Sequence, residues 1–129
     1  MNKHILVVDN EPQVRELVSL YLLRQGYRVS GAADSTEAFK IFAREKVDLV
    51  ILEITLGVED GLAVLPRIKK EFPDTKVIIL TGVGFVEDLM QEAMQKGADS
   101  YLSKILPLDE LLLAVNRALK PSPLTPQKR

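Results

Sequence analysis

The sequence contains no cysteine and only one histidine, His4, among its 129 residues. Disulfide bonds, thiolate chemistry and cysteine metal sites are therefore excluded. A single histidine also gives no basis for a histidine-rich metal site or a histidine-based catalytic triad. Because His4 begins the first predicted strand, we expect it to be structural or solvated.

Neither sign of charge is in clear excess, because the sequence has 17 Lys and Arg residues and 18 Asp and Glu residues. A protein whose main partner is nucleic acid usually carries a basic excess, so no direct nucleic-acid binding is expected.

Long apolar runs are absent as well, and a bilayer span needs about 20 apolar residues. The longest runs are Ile5–Val8, Leu49–Leu52 and Val77–Leu80. Asp9 and Asn10 interrupt the first run, which excludes a signal-peptide pattern. We expect a cytoplasmic protein with no membrane contact.

The length and composition indicate one globular domain. Hydrophobic residues make up 47% and charged residues 27% of the chain, and this balance argues against disorder. We predict a domain over residues 1–120. Residues 121–129 carry Pro121, Pro123 and Pro126 among polar neighbours, which predicts a flexible tail or the start of a linker.

The apolar pattern alternates between strand and helix periods along the chain. The predicted strands are Ile5–Val8, Tyr27–Gly31, Leu49–Ile54, Val77–Thr81 and Ser100–Ser103. The first predicted helix begins at Glu11-Pro12, and the second is capped by Ser35. The other three predicted helices are Leu62–Phe72, Val86–Gln95 and Leu108–Leu119. Five strand–helix units predict an α/β fold with a five-stranded parallel sheet and helices on both faces.

Two positions disturb this regular pattern. Pro66 lies inside the third predicted helix, where proline costs about 3 kcal/mol, so we expect that helix to start late or to be kinked. Residues 57–61 begin and end with glycine and are predicted to form a loop.

Polar residues stand where four of the predicted strands end. They are Asp9-Asn10-Glu11 at the end of the first strand, Glu53 at the end of the third, Thr81-Gly82 at the end of the fourth and Lys104 at the end of the fifth. Taken singly, each residue is more often a turn, strand or solvated surface residue. In a parallel sheet these strand ends meet at one edge, where such folds place their functional sites. The combination therefore predicts a site at this edge.

The same segments carry a resemblance to a known family. Leu6–Pro12, Asp48–Glu53, Asp60-Gly61, Ile79–Gly82 and Gly97–Lys104 resemble, in this order and spacing, the receiver domain of bacterial response regulators. The resemblance spans residues 3–120. It implies a flavodoxin-like (βα)5 receiver fold and a role in two-component or phosphorelay signalling.

The resemblance also implies roles for individual residues. In the family, an Asp that ends the third strand accepts a phosphoryl group from a histidine kinase, and Glu53 stands at that phosphoacceptor position. Thr81 matches the switch hydroxyl, Lys104 the phosphate-sensing amine and Tyr101 the switch aromatic. The implied metal ligands for Mg²⁺ are Asp9, Asn10, Glu53 and Thr55.

Three departures from the family pattern weaken the implied chemistry. Glu53 is longer than Asp by one methylene, which displaces the carboxylate by ~1.5 Å, and a misplacement of about 1 Å can cost on the order of a hundredfold in rate. Asn10 lacks the negative charge of the acid it replaces, although Mg²⁺ prefers carboxylates. Ile105 follows Lys104 where the family has a cis proline, and a non-proline cis bond costs about 2.5–4 kcal/mol. We therefore expect a weakened metal site, no required cofactor and a trans Lys104–Ile105 bond.

Three hypotheses for function follow. The leading one is an atypical receiver that acts as a phosphorylation-independent protein-interaction module and not as an enzyme. In it, Glu53 reaches Lys104 through a charge-assisted hydrogen bond and holds either an active-like or an inactive state. The first alternative is a working Mg²⁺-dependent phosphoacceptor switch. The second is an unrelated α/β nucleotide-binding enzyme, suggested by Gly82-Val83-Gly84, although Glu87 stands where a third glycine is needed.

The resemblance implies protein partners: a histidine kinase, an output domain or another regulator. We expect them to bind the face formed by residues 86–119, with a homodimer as an open alternative. The apolar residues of this face are Val86, Met90, Met94, Tyr101, Leu108 and Leu112. Apolar side chains at helical spacing belong more often to the core than to an interface, so both interpretations stand.

Overall fold

The computed structural model describes residues 2–120, and the tail predicted at 121–129 lies outside the described residues. The elements are β1 (His4–Val8), α1 (Pro12–Arg24), β2 (Arg28–Ala32), α2 (Ser35–Arg44), β3 (Leu49–Leu52), β4 (Thr55–Leu56), β5 (Glu59–Asp60), α3 (Gly61–Glu71), β6 (Lys76–Thr81), α4 (Glu87–Gln95), β7 (Ser100–Ser103) and α5 (Leu108–Leu119). Among residues 2–120, no helix combines the length and the apolar character that crossing a bilayer requires.

The main sheet confirms the predicted fold. It has five strands in the order β2-β1-β3-β6-β7, and all of its neighbouring strands pair in parallel. The chain adds β2 on one side of β1 and then returns to add β3 on the other side. The strand order thus reverses between β1 and β3, and the carboxyl ends of these strands form the crevice where such sheets bind ligands.

Each face of the sheet carries its own core. Leu6, Val50 and Ile79 point to one face, where α2, α3 and α4 pack, while Ile5 and Ile51 point to the other, against α1 and α5. Successive side chains of a strand alternate between faces, so a strand covered on both sides is apolar throughout. This is why the central strands appear in the sequence as uninterrupted apolar runs.

The cap of α2 differs from the prediction. Asp34, and not Ser35, is the N-cap, and its carboxylate accepts a hydrogen bond from the backbone N–H of Glu37. A carboxylate suits this position because it also interacts favourably with the positive end of the helix dipole. Ser35 is the first helical residue, and both its N–H and its hydroxyl donate to the carboxylate of Glu59 in β5.

The helix α3 was expected to start late or to be kinked because of Pro66, and the late start is wrong. It begins at Gly61, one residue earlier than expected. Proline has no N–H to donate to the carbonyl four residues before it, which is that of Leu62. The Lys96 ammonium group donates to the Leu62 oxygen at 3.1 Å instead. A side chain from the end of α4 thus satisfies the carbonyl that Pro66 leaves without a helical partner.

The segment predicted as a loop contains a short hairpin. The strands β4 and β5 pair antiparallel over two residues each, with Gly57 at a positive φ of 67° in the turn. The hairpin brings the start of α3 against the end of β3, where Gly61 N–H donates to the Ile54 oxygen at 2.6 Å. A Cβ atom on Gly61 would lie 2.1 Å from the Glu53 carbonyl oxygen. Only glycine permits this approach.

Candidate functional site

The strand ends converge as the sequence analysis predicted. Asp9 follows β1, Glu53 follows β3, Thr81 ends β6 and Lys104 follows β7. Backbone hydrogen bonds extend the parallel ladders to these positions. Glu53 N–H donates to the Val8 oxygen at 3.1 Å, and Lys104 N–H donates to the Thr81 oxygen at 2.9 Å. The sheet itself therefore fixes where each of these side chains starts.

The ammonium group of Lys104 lies at the centre of the site, between three carboxylates. Its Nζ atom is 2.8 Å from Asp9 Oδ2, 2.9 Å from Glu11 Oε1 and 2.8 Å from Glu53 Oε1. An ammonium group has three N–H donors, and three carboxylate oxygens lie within reach of this one. The exposed fraction of the side chain is 12% for Lys104, 4% for Asp9 and 2% for Glu53, whereas Glu11 is 61% exposed. The cluster is thus a largely buried ion network with one carboxylate at its rim.

The Glu53 carboxylate also accepts hydrogen bonds from the backbone. Its Oε1 atom accepts from Gly82 N–H at 3.0 Å, and its Oε2 atom accepts from Ile54 N–H at 2.6 Å. Gly82 follows directly after β6, so this bond links the ends of β3 and β6. Both oxygens of the carboxylate are engaged, and the group is held in one orientation.

The ion network shifts the pKa values of its central pair in opposite directions. Burial by itself raises the pKa of Glu53, but hydrogen bonds from Lys104 and Gly82 outweigh it, so the pKa lies below its ordinary value. Burial by itself lowers the pKa of Lys104, but the bonds to Asp9, Glu11 and Glu53 outweigh it and raise the pKa. Each group stabilises the charged form of the other. Both are therefore charged at neutral pH.

Glu11 is a member of the site that the sequence analysis placed at this edge but gave no role. The Asp9 carboxylate accepts a hydrogen bond from Glu11 N–H at 2.9 Å, which forms a local turn after β1. The turn brings the Glu11 side chain to the Lys104 ammonium group. The signal in the sequence was an acid two residues after Asp9, but the turn geometry that directs it toward Lys104 is visible only in three dimensions.

The other two expected metal ligands, Asn10 and Thr55, make contacts at the hairpin. With its amide oriented to satisfy its hydrogen bonds, Asn10 donates to the Thr55 backbone oxygen at 3.0 Å and accepts from Gly57 N–H at 3.3 Å. Thr55 is exposed, and its N–H lies 3.5 Å from Glu53 Oε2. Of the expected ligands, Asp9 and Glu53 thus contact the ammonium group, Asn10 contacts the hairpin, and Thr55 contacts the Glu53 carboxylate through its N–H.

The two expected switch residues are both buried. Thr81 is fully buried, and its hydroxyl oxygen accepts a hydrogen bond from Val83 N–H at 3.2 Å. Tyr101 is 6% exposed, and its hydroxyl donates to the Gly84 oxygen at 2.8 Å. The ring of Phe85 contacts the Tyr101 ring edge-on, with centroids 5.6 Å apart. The β6–α4 loop therefore lies against Tyr101.

Two further expectations concern the backbone and the single histidine. Residues 2–120 contain no cis peptide bond, so the Lys104–Ile105 bond is trans as expected. His4 is buried, with its ring nitrogens 2.9 Å from the Lys46 oxygen and 2.8 Å from the Ser30 hydroxyl. These contacts lie at the amino end of β1, away from the site, and His4 is a structural residue.

The face formed by residues 86–119 has both buried and exposed apolar side chains. Met90 packs against one core, and Leu108 and Leu112 pack against the other. Other apolar side chains on this face remain exposed: Val86 (39%), Met94 (47%), Ile105 (89%), Leu106 (39%) and Leu113 (50%). Some apolar side chains of this face therefore belong to the core, and the others are accessible at the surface.

Comparison with known proteins identifies similar chains. The sequence model of the response regulator receiver domain matches residues 5–116. The transcriptional regulatory protein GlrR of Escherichia coli is 38% identical over 92% of the chain. Sporulation initiation phosphotransferase F of Bacillus subtilis is 34% identical over 92% of the chain and 95% of its own length. Among solved structures, response regulator TrrA of Thermotoga maritima, in complex with Mg²⁺–BeF, is 37% identical with a TM-score of 0.80, over 91% of this chain and 99% of that one.

The relatives differ in how much of their length the match covers. The chain spans 27% of the length of the Escherichia coli regulator and nearly the whole of the Bacillus protein. The same unit of sequence thus occurs both within longer proteins and as almost an entire protein.

Proposed function

Because this chain belongs to the response regulator receiver domain family of two-component signalling systems, we propose that it is an atypical receiver that binds protein partners without being phosphorylated. The observation that carries this proposal is the state of Glu53. Its carboxylate stands at the phosphoacceptor position and already binds the Lys104 ammonium group and the Gly82 N–H.

The hydrogen bonds of Glu53 oppose its use as a nucleophile. Phosphoryl transfer needs an in-line attacking oxygen and a cation that neutralises the phosphate charge. Both oxygens of Glu53 already accept hydrogen bonds, so neither is free to reorient toward an incoming phosphoryl group. The lowered pKa of Glu53 points the same way, because a carboxylate that is stabilised as an anion is a weaker nucleophile.

The same contacts support a permanently set site. The carboxylate of Glu53 is a fixed negative charge bound to an amine and a backbone N–H, at the place where a receiver would carry a phosphoryl group. Thr81 and Tyr101 are buried at the neighbouring strand ends. We propose that this arrangement holds one conformation of the β6–α4 loop, so that partner binding does not depend on a kinase.

The exposed apolar side chains between residues 86 and 119 support a partner surface on this face. Several of them lie at the loop before α5 or on the outer side of the helices. We propose that this face binds a protein partner, namely a histidine kinase, an output domain, another regulator or a second copy of the chain. In this proposal the domain acts in the cytoplasm, performs no enzymatic reaction and requires no cofactor.

Phosphoryl uptake tests the proposal directly. The wild-type chain, Glu53→Asp and Glu53→Gln are incubated with acetyl phosphate and Mg²⁺, and phosphorylated protein is measured by intact-mass spectrometry. We expect no uptake by wild type above the Glu53→Gln control, and uptake by Glu53→Asp. Uptake by wild type that Glu53→Gln abolishes would instead establish a working phosphoacceptor.

Beryllofluoride, which mimics a phosphorylated carboxylate, provides an independent measurement. Amide NMR shifts around Thr81 and Lys104 are followed during titration with Mg²⁺ and beryllofluoride. We expect shifts in Glu53→Asp and none in wild type, because this change restores the shorter carboxylate of the family pattern at the acceptor position. A wild-type response of equal size would contradict a permanently set site.

A further inference from the structure

We propose that the outer face of α1 binds a second copy of this chain, as an antiparallel pair of α1 helices related by a two-fold axis at Leu20. This contact goes beyond the function proposed above, because α1 lies outside the partner face of residues 86–119. It therefore does not depend on whether Glu53 accepts a phosphoryl group.

The solvent side of α1 carries a stripe of leucines. Val18 and Leu22 are buried against the sheet, whereas the side chains of Leu17, Leu20 and Leu23 are 57%, 47% and 48% exposed. In the described part of the chain, α2 and α3 have no exposed large apolar side chain, and α4 and α5 have one each. A surface helix normally presents polar residues to solvent, so the leucine stripe of α1 indicates a contact surface.

The order of residues along this stripe is self-complementary. Leu17 stands three residues before Leu20, and Leu23 stands three residues after it. Glu16 and Arg24 stand four residues before and four residues after Leu20, and both are exposed. In an antiparallel pair centred on Leu20, Leu17 therefore lies opposite Leu23 of the other copy, and Glu16 lies opposite Arg24. Such reciprocal contacts are what a two-fold symmetric interface requires.

The charges at the ends of the stripe favour the antiparallel orientation. Within residues 2–120, no ion pair involves Glu16 or Arg24, and eight helical residues separate their Cα atoms by about 12 Å. An antiparallel pair brings each carboxylate to the guanidinium group of the other copy. A parallel pair would instead align Glu16 with Glu16 and Arg24 with Arg24, and such like-charge contacts are unfavourable.

The size of the contact predicts a weak dimer. The helix α1 has 13 residues, which span about 20 Å, and packed helices lie about 8–10 Å apart. One helix from each copy forms an interface at the low end of the range for specific complexes, below about 1,200 Å² in total. We therefore expect a Kd on the order of 100 μM.

Sedimentation equilibrium of wild type, Leu20→Lys and Leu113→Lys tests the proposal, at protein concentrations from about 10 μM to about 1 mM. Leu113 provides the matched control, because it is a leucine of α5 with a similar exposed fraction of 50%. We expect Leu20→Lys to raise the Kd at least about tenfold, because it places two positive charges together at the two-fold axis. Leu113→Lys should leave the Kd within about twofold of wild type.

Charge reversal tests the antiparallel orientation. Glu16→Arg alone should raise the Kd by about threefold or more, because each rim contact then joins two positive charges. Combining Glu16→Arg with Arg24→Glu should return the Kd to within about twofold of wild type, because opposite charges meet again. A double variant that dimerises no better than Glu16→Arg would overturn the proposed pairing.

The wild-type protein gives a second measurement that does not depend on a variant folding. As its concentration rises, the amide NMR signals of α1 should shift, and those of α4, on the other face of the sheet, should not. A wild type that stays monomeric at about 1 mM would overturn the proposal. A dimer that Leu113→Lys disrupts and Leu20→Lys does not would overturn it as well, and would place self-association on the face of residues 86–119. None of these measurements involves phosphate, so their failure is distinct from failure of the proposed function.

Discussion

Replacing Lys104 with methionine should destabilise the fold, because it leaves Asp9 and Glu53 charged and buried without a counter-ion. Their side chains are 4% and 2% exposed. Breaking a buried ion pair by removing one partner costs about 3–5 kcal/mol. Loss of the contact with Glu11 adds little to this free-energy cost, because the Glu11 side chain is 61% exposed and solvent screens its interaction with Lys104. At about 3 °C per kcal/mol for a domain of this size, Tm should fall by about 10–15 °C.

The loss should depend on pH, with a sign that follows from the pKa shifts. In wild type the pKa of Glu53 is lowered, so its contribution to stability is present above the unfolded pKa and is lost as pH falls through the folded pKa. Without Lys104, burial raises the pKa of Glu53 above its unfolded value. The variant then loses stability as pH rises through that range. The difference between the two proteins should therefore grow from about pH 4 to about pH 7.

Urea unfolding followed by far-ultraviolet circular dichroism measures both effects. The free energy of unfolding of wild type, Lys104→Met and Lys40→Met is compared at about pH 4 and about pH 7. Lys40 is an exposed residue of α2, so Lys40→Met removes one positive charge away from the site and serves as the control. It should stay within about 0.5 kcal/mol of wild type. A loss below about 1 kcal/mol for Lys104→Met, or a loss of equal size at both pH values, would refute the view that buried carboxylates depend on this ammonium group.

Three further predictions concern the surroundings of the site. Gly61→Ala should unfold or strongly destabilise the domain in a thermal melt, because the new Cβ would lie 2.1 Å from the Glu53 carbonyl oxygen; a Tm within a few degrees of wild type would contradict this contact. Lys96→Met should cost about 1–2 kcal/mol in urea unfolding, because it removes the donor to the Leu62 oxygen. The same change should cost less in a Pro66→Ala background, where a backbone N–H returns, and an equal cost would argue against this explanation. In a carbon-detected NMR titration, the Glu53 carboxyl should titrate below its ordinary pKa of 4.5, and a midpoint at or above that value would contradict the described hydrogen bonds.

The regular elements were predictable where the sequence carried a clear period and clear ends. The last strand, Ser100–Ser103, and the last helix, Leu108–Leu119, have the predicted bounds. The hairpin of β4 and β5 was missed because two residues per strand are too few to show an alternation. The start of α3 was misjudged because the sequence shows the cost of Pro66 but not the lysine that compensates for it.

The site was predictable in its members at the strand ends but not in its contacts. The rule for parallel sheets brought Asp9, Glu53, Thr81 and Lys104 to one edge, and the structure places them there. The sequence could not show which acids a flexible lysine side chain reaches. Glu11 joins the cluster through a local turn, while Asn10 turns to the hairpin. Both outcomes depend on side-chain direction, which residue spacing does not determine.

The ion network also has a consequence for the order in which the chain folds. Lys104 and Glu11 are 93 residues apart in sequence, so their contact closes a loop that includes most of the domain. The entropy of closing such a loop must be lost before the contact contributes any stability. We therefore expect the contact between Lys104 and Glu11 to form late in folding. Contacts that form after the transition state act mainly on the rate of unfolding. In that case, removing the network should raise the rate of unfolding more than it lowers the rate of folding.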